Sequence, residues 1–418
     1  MKFTLGILFC GLCSLTFADS IECDSSGLLN RSAVSIEKLP RFNISGSYET
    51  GITTAYDGTL LITAYYGRSN KMDKTNDKIF RYDPVNNQLS TLLEFKNASG
   101  ILPAATLAQG VDKNVYYGIT AQGGKHNYGT IYSINISSGA YQLLFEFDDT
   151  ALCYPQLGLV RISDHELIGI YATGGEDFFR VPANEYNRYI ENGRFFIFDL
   201  NTMKVAPFNE IEGATNALPC RINEETFVFL FREDMTKSGD YVFAQYSITK
   251  RKMTASTYVN YNFQPVSALI AGKNSSIYVM NYYTQARPGT YPFLKYDPAT
   301  NKCSRCCKGS HHVTMYSSAF TSDTNGVMYG WFKMGPGTMP NGLLFEFDPA
   351  ADSIRTFISW PDNTNEVNEE TNQQLTPGYD FISNPVFSGK GKLYAISMYS
   401  GLVSVDMASR SVTRLVKL

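Results

Sequence analysis

Phe293-Leu-Lys-Tyr-Asp-Pro298 is an apolar strand running into an acidic turn, and the chain repeats it. Ile79-Phe-Arg-Tyr-Asp-Pro84 and Leu344-Phe-Glu-Phe-Asp-Pro349 are near copies. Ile131-Tyr-Ser-Ile-Asn135, Phe196-Ile-Phe-Asp-Leu200, Phe243-Ala-Gln-Tyr-Ser247 and Val403-Ser-Val-Asp406 are looser ones. The turn residues fall at 83, 135, 199, 247, 297, 348 and 406. That spacing of roughly 50 residues is the period of propeller blades with four strands each.

Working outward from this element, a second apolar strand precedes each copy: Leu60–Thr63, Val115–Gly118, Leu167–Gly169, Phe227–Phe229, Ile277–Val279, Met328–Gly330 and Leu393–Ala395. A third stands earlier, as in Tyr154–Val160, Gln264–Leu269 and Asn384–Phe387, and a fourth follows the turn, as in Leu89–Phe95, Ala140–Phe147, Ser353–Phe357 and Ser411–Val416. No stretch carries a sustained helical period. Four strands in step, seven times over, predict an all-β chain: a seven-bladed β-propeller of four-stranded antiparallel blades over residues 46–418. Strands b are expected near residues 61, 117, 168, 228, 278, 329 and 394. Ser32–Leu39, within an N-terminal segment at 19–45, is a candidate ring-closing strand, although Ser411–Val416 already supplies the last blade with a fourth strand.

Tyr117–Tyr132, with Gly123-Gly124 between two strands, followed by Leu143–Phe147 and Pro155–Val160, resembles the GloVer-type tandem repeat. Ala172–Gly175 with Gly193–Phe196 is a looser copy. The resemblance implies a propeller-like exported protein and no assigned activity.

Composition agrees. The chain has 418 residues, 44% of them hydrophobic, with 28 Tyr, 27 Phe, 33 Gly and a formal net charge of −3. That suffices for a packed core and gives no electrostatic reason to expect nucleic acid or an anionic membrane as partner. Lys2, the apolar run Leu5–Phe17 and the small residues Thr16 and Ala18 read as a signal peptide over residues 1–18, cut before Asp19, so the mature protein is expected outside the cell, or in the periplasm of a bacterium. No membrane span is expected, because no later stretch approaches twenty apolar residues, and the protein is expected to be a monomer. Beyond the leader six cysteines remain: Cys23, Cys153, Cys220, Cys303, Cys306 and Cys307. An even number in an exported chain predicts disulfides, with fifteen pairings open, and at least one is expected to draw on Cys303, Cys306 or Cys307. Asn-x-Ser sequons stand at Asn30, Asn43, Asn97, Asn135 and Asn274, which in a eukaryotic secretory pathway would carry glycans.

Function is expected where the connections are long. In a propeller the b–c and d–a connections share one face, and the a–b and c–d turns share the other. The b–c insertions here are long, unequal and rich in Arg and Tyr, which suit sugar rings, peptides and carboxylates. Tyr66, Arg68, Arg180, Arg188, Arg232, Tyr283, Arg287 and Trp331 are the candidate ligand contacts. Chemistry has weaker signals. Of four histidines, His126, His311 and His312 fall on this face and His165 on the other, so neither a metal nor a cofactor is predicted. Glu176, Asp177, Glu233 and Asp234 are loop carboxylates of the kind a glycosidase pairs. No nucleophile elbow or phosphate-binding glycine loop is present. The expectation is a non-catalytic binding scaffold for an extracellular carbohydrate or protein; the alternative is a glycosidase or metal-dependent lyase using the same face.

Overall fold

The computed structural model describes residues 51–64, 77–148, 153–172, 193–211, 213, 215, 217–233, 241–259, 268–280, 291–307, 320–332, 343–359, 367–368, 373–374, 383–388, 391–397 and 401–416. Within them lie seven antiparallel sheets, each following chain order from strand a to strand d. Blade 1 is Gly51–Thr54, Leu60–Ala64, Lys78–Asp83 and Gln88–Glu94. Blade 2 splits its first strand into Ile101–Pro103 and Ala108–Gln109, then continues with Val115–Gln122, Thr130–Asn135 and Tyr141–Glu146. Blade 3 is Cys153–Arg161, Glu166–Ala172, Arg194–Asp199 and Lys204–Pro207. Blade 4 is Cys220–Arg221, Thr226–Arg232, Tyr241–Ser247 and Lys252–Tyr258. Blade 5 is Ile270–Ala271, Ile277–Met280, Phe293–Asp297 and Lys302–Cys306. Blade 6 is Phe320–Ser322, Met328–Phe332, Leu343–Asp348 and Ser353–Ser359. Blade 7 is Val386–Ser388, Lys392–Ser397, Gly401–Asp406 and Ser411–Val416. All seven expected b-strand centres fall inside observed b strands. The one helical turn among the described residues is Asn97–Ser99, so no helix there is long and apolar enough to cross a membrane.

The residue pattern of each strand follows from its place in the blade. A b strand has a neighbouring blade on both sides, so Leu60–Ala64 is buried at every position, the continuous apolar run expected of a strand covered on both faces. A d strand lies at the rim, and Lys252–Tyr258 alternates between exposed and half-buried. Blade-to-blade packing then closes the ring through seven apolar clusters, each joining two neighbours. Phe243 of blade 4 stacks on Tyr296 of blade 5 with ring centroids 4.8 Å apart. Such a pair contributes about 0.5–1.5 kcal/mol beyond simple burial. The last cluster sets Tyr394, Ile396 and Leu402 of blade 7 against Ile52, Leu60 and Phe80 of blade 1. Blade 7 therefore has four strands of its own and meets blade 1 by packing. Ser32–Leu39 lies outside the described residues, as does the leader.

The c–d turns show why the acidic marker recurs. Asp83, Asn135, Asp199, Asp297, Asp348 and Asp406 each accept backbone N–H bonds from two residues on, for example Val85 to Asp83 Oδ1 at 2.7 Å and Ser137 to Asn135 Oδ1 at 3.0 Å. These are Asx turns, which pre-form the hairpin. Blade 4 has Ser247 there, and Glu225 from the a–b turn takes over, accepting from the Ser247 hydroxyl and from Thr249 N at 3.1 Å. Every c–d turn carries a residue with positive φ at or next to its end: Asn87, Gly139, Met203, Arg251, Asn301, Asp352 and Arg410, with φ between 49° and 73°.

Candidate functional site

The two faces differ in how the chain crosses them. Each c–d connection is a tight turn (84–87, 136–140, 200–203, 248–251, 298–301, 349–352, 407–410), and the a–b connections are as short. The b–c connections run from 398–400 in blade 7 to 173–193 in blade 3. The d–a connections on that same face reach from 95–100 to 360–385, the last carrying a small hairpin of Val367–Asn368 with Gln373–Gln374. Uniform turns on one face and unequal insertions on the other make the b–c/d–a side the candidate site.

The blade 2 connection, 123–129, shows how such a loop is held. Gly123 has φ 86°, and a Cβ there would stand 2.5 Å from Gly100 Cα. The Gly123 N–H donates to Asn127 Oδ1 at 3.0 Å, Gly124 N to Asn97 O at 3.0 Å, and Lys125 N to Glu146 Oε1 at 2.8 Å. Beneath it Thr120 and Thr130 share a hydroxyl bond of 2.8 Å, and Thr130 and Tyr141 both donate to Ser99 O. Lys125, His126 and Asn127 stand exposed at the tip. The two glycines therefore shape a hairpin loop. Nearby, Asp77 accepts Leu102 N–H at 2.7 Å, tying blade 1 to the first strand of blade 2 on this face.

Of the eight expected ligand contacts, Arg232 and Trp331 lie among the described residues; Tyr66, Arg68, Arg180, Arg188, Tyr283 and Arg287 lie outside them, as do His311, His312, Glu176, Asp177 and Asp234. Arg232 closes strand b of blade 4 at the loop face, its guanidinium 5.8 Å from the Tyr241 ring centre. Trp331 is placed differently from the sequence expectation. Strand b of blade 6 continues to Phe332, so Trp331 belongs to the strand and not to the connection. It is 2% exposed, packed between blades 6 and 7 with Leu344, Val403 and Val405. Its burial is explained by packing.

Beside Arg232 lies an arrangement the sequence reading passed over. Tyr258 ends strand d of blade 4 with its ring 51% exposed, and its hydroxyl donates to Glu233 Oε2 at 2.6 Å. The signal was available: Lys252, Thr254, Ser256 and Tyr258 share the exposed parity of the strand, and an aromatic residue in that polar series stands out. Arg232, Glu233, Tyr241 and Tyr258 thus gather a guanidinium, a carboxylate and an exposed aromatic plane at one corner of the loop face. In the neighbouring blade Arg305 lies 5.3 Å from the Tyr291 ring centre. His126 and His165 sit on opposite faces, and among the described residues no three His, Cys, Asp or Glu side chains are grouped as metal ligands. Cys220, Cys303, Cys306 and Cys307 carry free thiols in the structure, Cys153 is buried, and Cys23 lies outside the described residues.

The model of the Gloeobacter/Verrucomicrobia repeat matches residues 30–243. The chain belongs to that repeat family. In this repeat protein the match ends inside strand c of blade 4, and blades 5–7 keep the four-stranded architecture. No curated protein matches it. Among solved structures, an oligogalacturonate lyase from Vibrio parahaemolyticus aligns with a TM-score of 0.52 at 13% identity, over 86% of this chain and 88% of that one. A puromycin hydrolase aligns with a TM-score of 0.53 at 11% identity, over 90% of this chain and 54% of its own length, so this repeat protein spans about half of that enzyme. A Bacteroides thetaiotaomicron protein of unknown function is also similar, with a TM-score of 0.41 at 14% identity, over 86% of this chain and 69% of that one. At these identities the likeness to the lyase and the hydrolase is one of fold.

Proposed function

We propose that this repeat protein is an exported, non-catalytic binding scaffold whose b–c/d–a face takes a carbohydrate or protein ligand. The observation that carries this reading is the difference between the faces: short repeated turns on one side, long unequal insertions on the other. Recognition concentrates on variable loops held by a rigid frame, and the hydrogen bonds under the 123–129 loop supply such a frame. The blade 4 corner adds suitable chemistry. A tyrosine locked to a carboxylate offers a flat apolar face at little entropic cost, and guanidinium N–H groups bind carboxylates and hydroxyls.

The fold also occurs in a lyase and a hydrolase, so the test reads turnover as well as binding. Labelled protein is screened on an oligosaccharide array and against purified extracellular proteins, and any ligand found is titrated against variants. Tyr258→Ala, Arg232→Ala and Arg287→Ala on the loop face should each weaken binding about tenfold or more, the size of a 1.4 kcal/mol contact. His165→Ala on the other face should leave the affinity unchanged. The reverse pattern would refute the face assignment, and release of cleaved product from a bound saccharide would replace the scaffold by an enzyme.

A further inference from the structure

Successive side chains of a strand point to opposite sides, and strand d of blade 5 obeys this until its end. Cys303 packs toward blade 4, against the cluster that contains Tyr296 and Phe243. Arg305 pairs in register with Leu294, a member of that same cluster, and so shares its side. Cys306 pairs with Phe293 and lies on the other side, in the cluster between blades 5 and 6. Alternation would return Cys307 to the blade 4 side. Instead Cys307 is 2% exposed in the cluster that holds Cys306.

The cause is backbone. Cys307 has φ 58°, a left-handed conformation unfavourable for a residue with a Cβ. It is held there by Asp352 of blade 6, whose Oδ1 accepts the Cys307 N–H at 2.8 Å. The turn of the backbone puts two adjacent thiols side by side in one apolar compartment with Tyr278, Phe345 and Phe347.

We propose that Cys306 and Cys307 form an oxidisable vicinal dithiol that closes to a disulfide within the dipeptide, at the root of the connection from blade 5 to blade 6. The oxidant is a disulfide-bonded thiol compound. One cysteine sulfur attacks its S–S bond and displaces one thiol; the other cysteine then attacks the mixed disulfide and displaces the second. Two protein thiols lose two hydrogens and two electrons, and the oxidant leaves as two thiols. Cys303 is excluded as the partner because its side chain faces blade 4. Burial, with the Asp352 carboxylate adding to it, pushes the Cys306 thiol up to about 11 and Cys307 higher still. Both stay protonated at neutral pH, so exchange is slow in the folded protein. Neighbouring Cα atoms stand about 3.8 Å apart, closer than the roughly 4.4–6.8 Å of ordinary disulfides. The bond is therefore strained and readily reduced, the mark of a labile disulfide rather than a structural one.

The test equilibrates full-length protein in glutathione buffers of graded redox poise, traps free thiols by alkylation, and reads intact mass and mapped peptides. The expected result is a species lighter by two hydrogens, with the disulfide confined to Cys306–Cys307. Its fraction should rise with oxidised glutathione, persist in Cys303→Ser, and vanish in Cys307→Ser. Phenylarsine oxide, which bridges adjacent thiols, should bind the reduced protein one to one and fail to bind the oxidised form. Because the wild-type map is decisive by itself, a variant that folds poorly does not blunt the test. A disulfide that maps to Cys220 or Cys303, or a dithiol that stays reduced across the whole range, would overturn the proposal.

Discussion

Replacing Tyr132 by phenylalanine should make this protein more stable. Tyr132 lies in strand c of blade 2, directly opposite Gly118, and its side chain is 0% exposed. Its hydroxyl has no hydrogen-bond partner among the described residues. It sits where a Cβ on Gly118 would fall, 2.3 Å from that position. Burial, with Tyr141 stacked 5.8 Å away, holds the phenol far above its ordinary pKa. An unpartnered buried hydroxyl costs about 1–3 kcal/mol of desolvation. The fold already contains the version without it: Gly169 faces Phe196 in blade 3, and Gly330 faces Phe345 in blade 6. Tyr132→Phe recreates that pair in blade 2, so a gain of about 1–2 kcal/mol is expected. Tyr141 provides the control, because its hydroxyl donates to Ser99 O at 2.8 Å. Tyr141→Phe should cost about 0.5–1.5 kcal/mol, the net value of a satisfied bond. The same atom removed from two stacked rings thus has opposite signs. Urea unfolding at neutral pH, compared at constant m-value, measures both. Should Tyr132→Phe lower stability by about 1 kcal/mol or more, the net worth of one hydrogen bond, the hydroxyl is bonded and the reasoning fails.

The acid limb of stability should trace to the c–d turns. Asp83 and Asp199 are held below the usual carboxylate range chiefly by backbone N–H bonds from Val85 and Thr202, Asp297 chiefly by the Thr300 hydroxyl, and Asp406 chiefly by Ser409 N–H. A carboxylate with a depressed folded pKa stabilises the fold above its unfolded value of about 4 and loses that contribution as pH falls through the folded value. Changing these four to Asn, the residue blade 2 already uses at Asn135, should preserve the turns and shrink the drop in Tm between pH 5 and pH 2; an undiminished drop would place the acid sensitivity elsewhere. Met203, 42% exposed at φ 54°, should gain about 0.5 kcal/mol on change to Asn, which tolerates this conformation and stands at the same turn position in blades 1 and 5; unfolding curves that coincide would count against it. Gly51→Ala should cost about 3 kcal/mol or more, read by urea unfolding, because the new Cβ would lie 1.6 Å from Ala105 O; a normal unfolding midpoint would mean that the innermost strands of blades 1 and 2 are not so closely set.

What was legible in the sequence is what the chain repeats. The Tyr-Asp-Pro marker could be read because the Asp carboxylate performs one local task, accepting N–H groups of its own turn, and performs it in blade after blade. Strand b could be read because burial on both faces forces a continuous apolar run. Its length could not be read from the pattern alone: Trp331 and Phe332 extend that run at the end of strand b in blade 6, and a tryptophan at a strand end looks the same in sequence whether it packs or projects. Dihedrals were also out of reach. Nothing in Cys306-Cys307 announces that the second residue is left-handed, since the cause is Asp352, a neighbour 45 positions away supplied by the next blade.

The same logic explains why the site is harder to read than the frame. A strand signal appears seven times, so chance variation averages out and the common pattern survives. A binding site is made of what one blade has and the others lack, so each of its residues is seen once. Tyr258 illustrates the difference: it breaks the polar series of Lys252, Thr254 and Ser256 on the exposed side of its own strand. Blade 4 also departs from the repeat at its turn, where Glu225 and Ser247 replace the usual acid. That departure stands at the c–d end of blade 4, whereas the exposed ring, the carboxylate and the guanidinium stand at its other end, on the loop face.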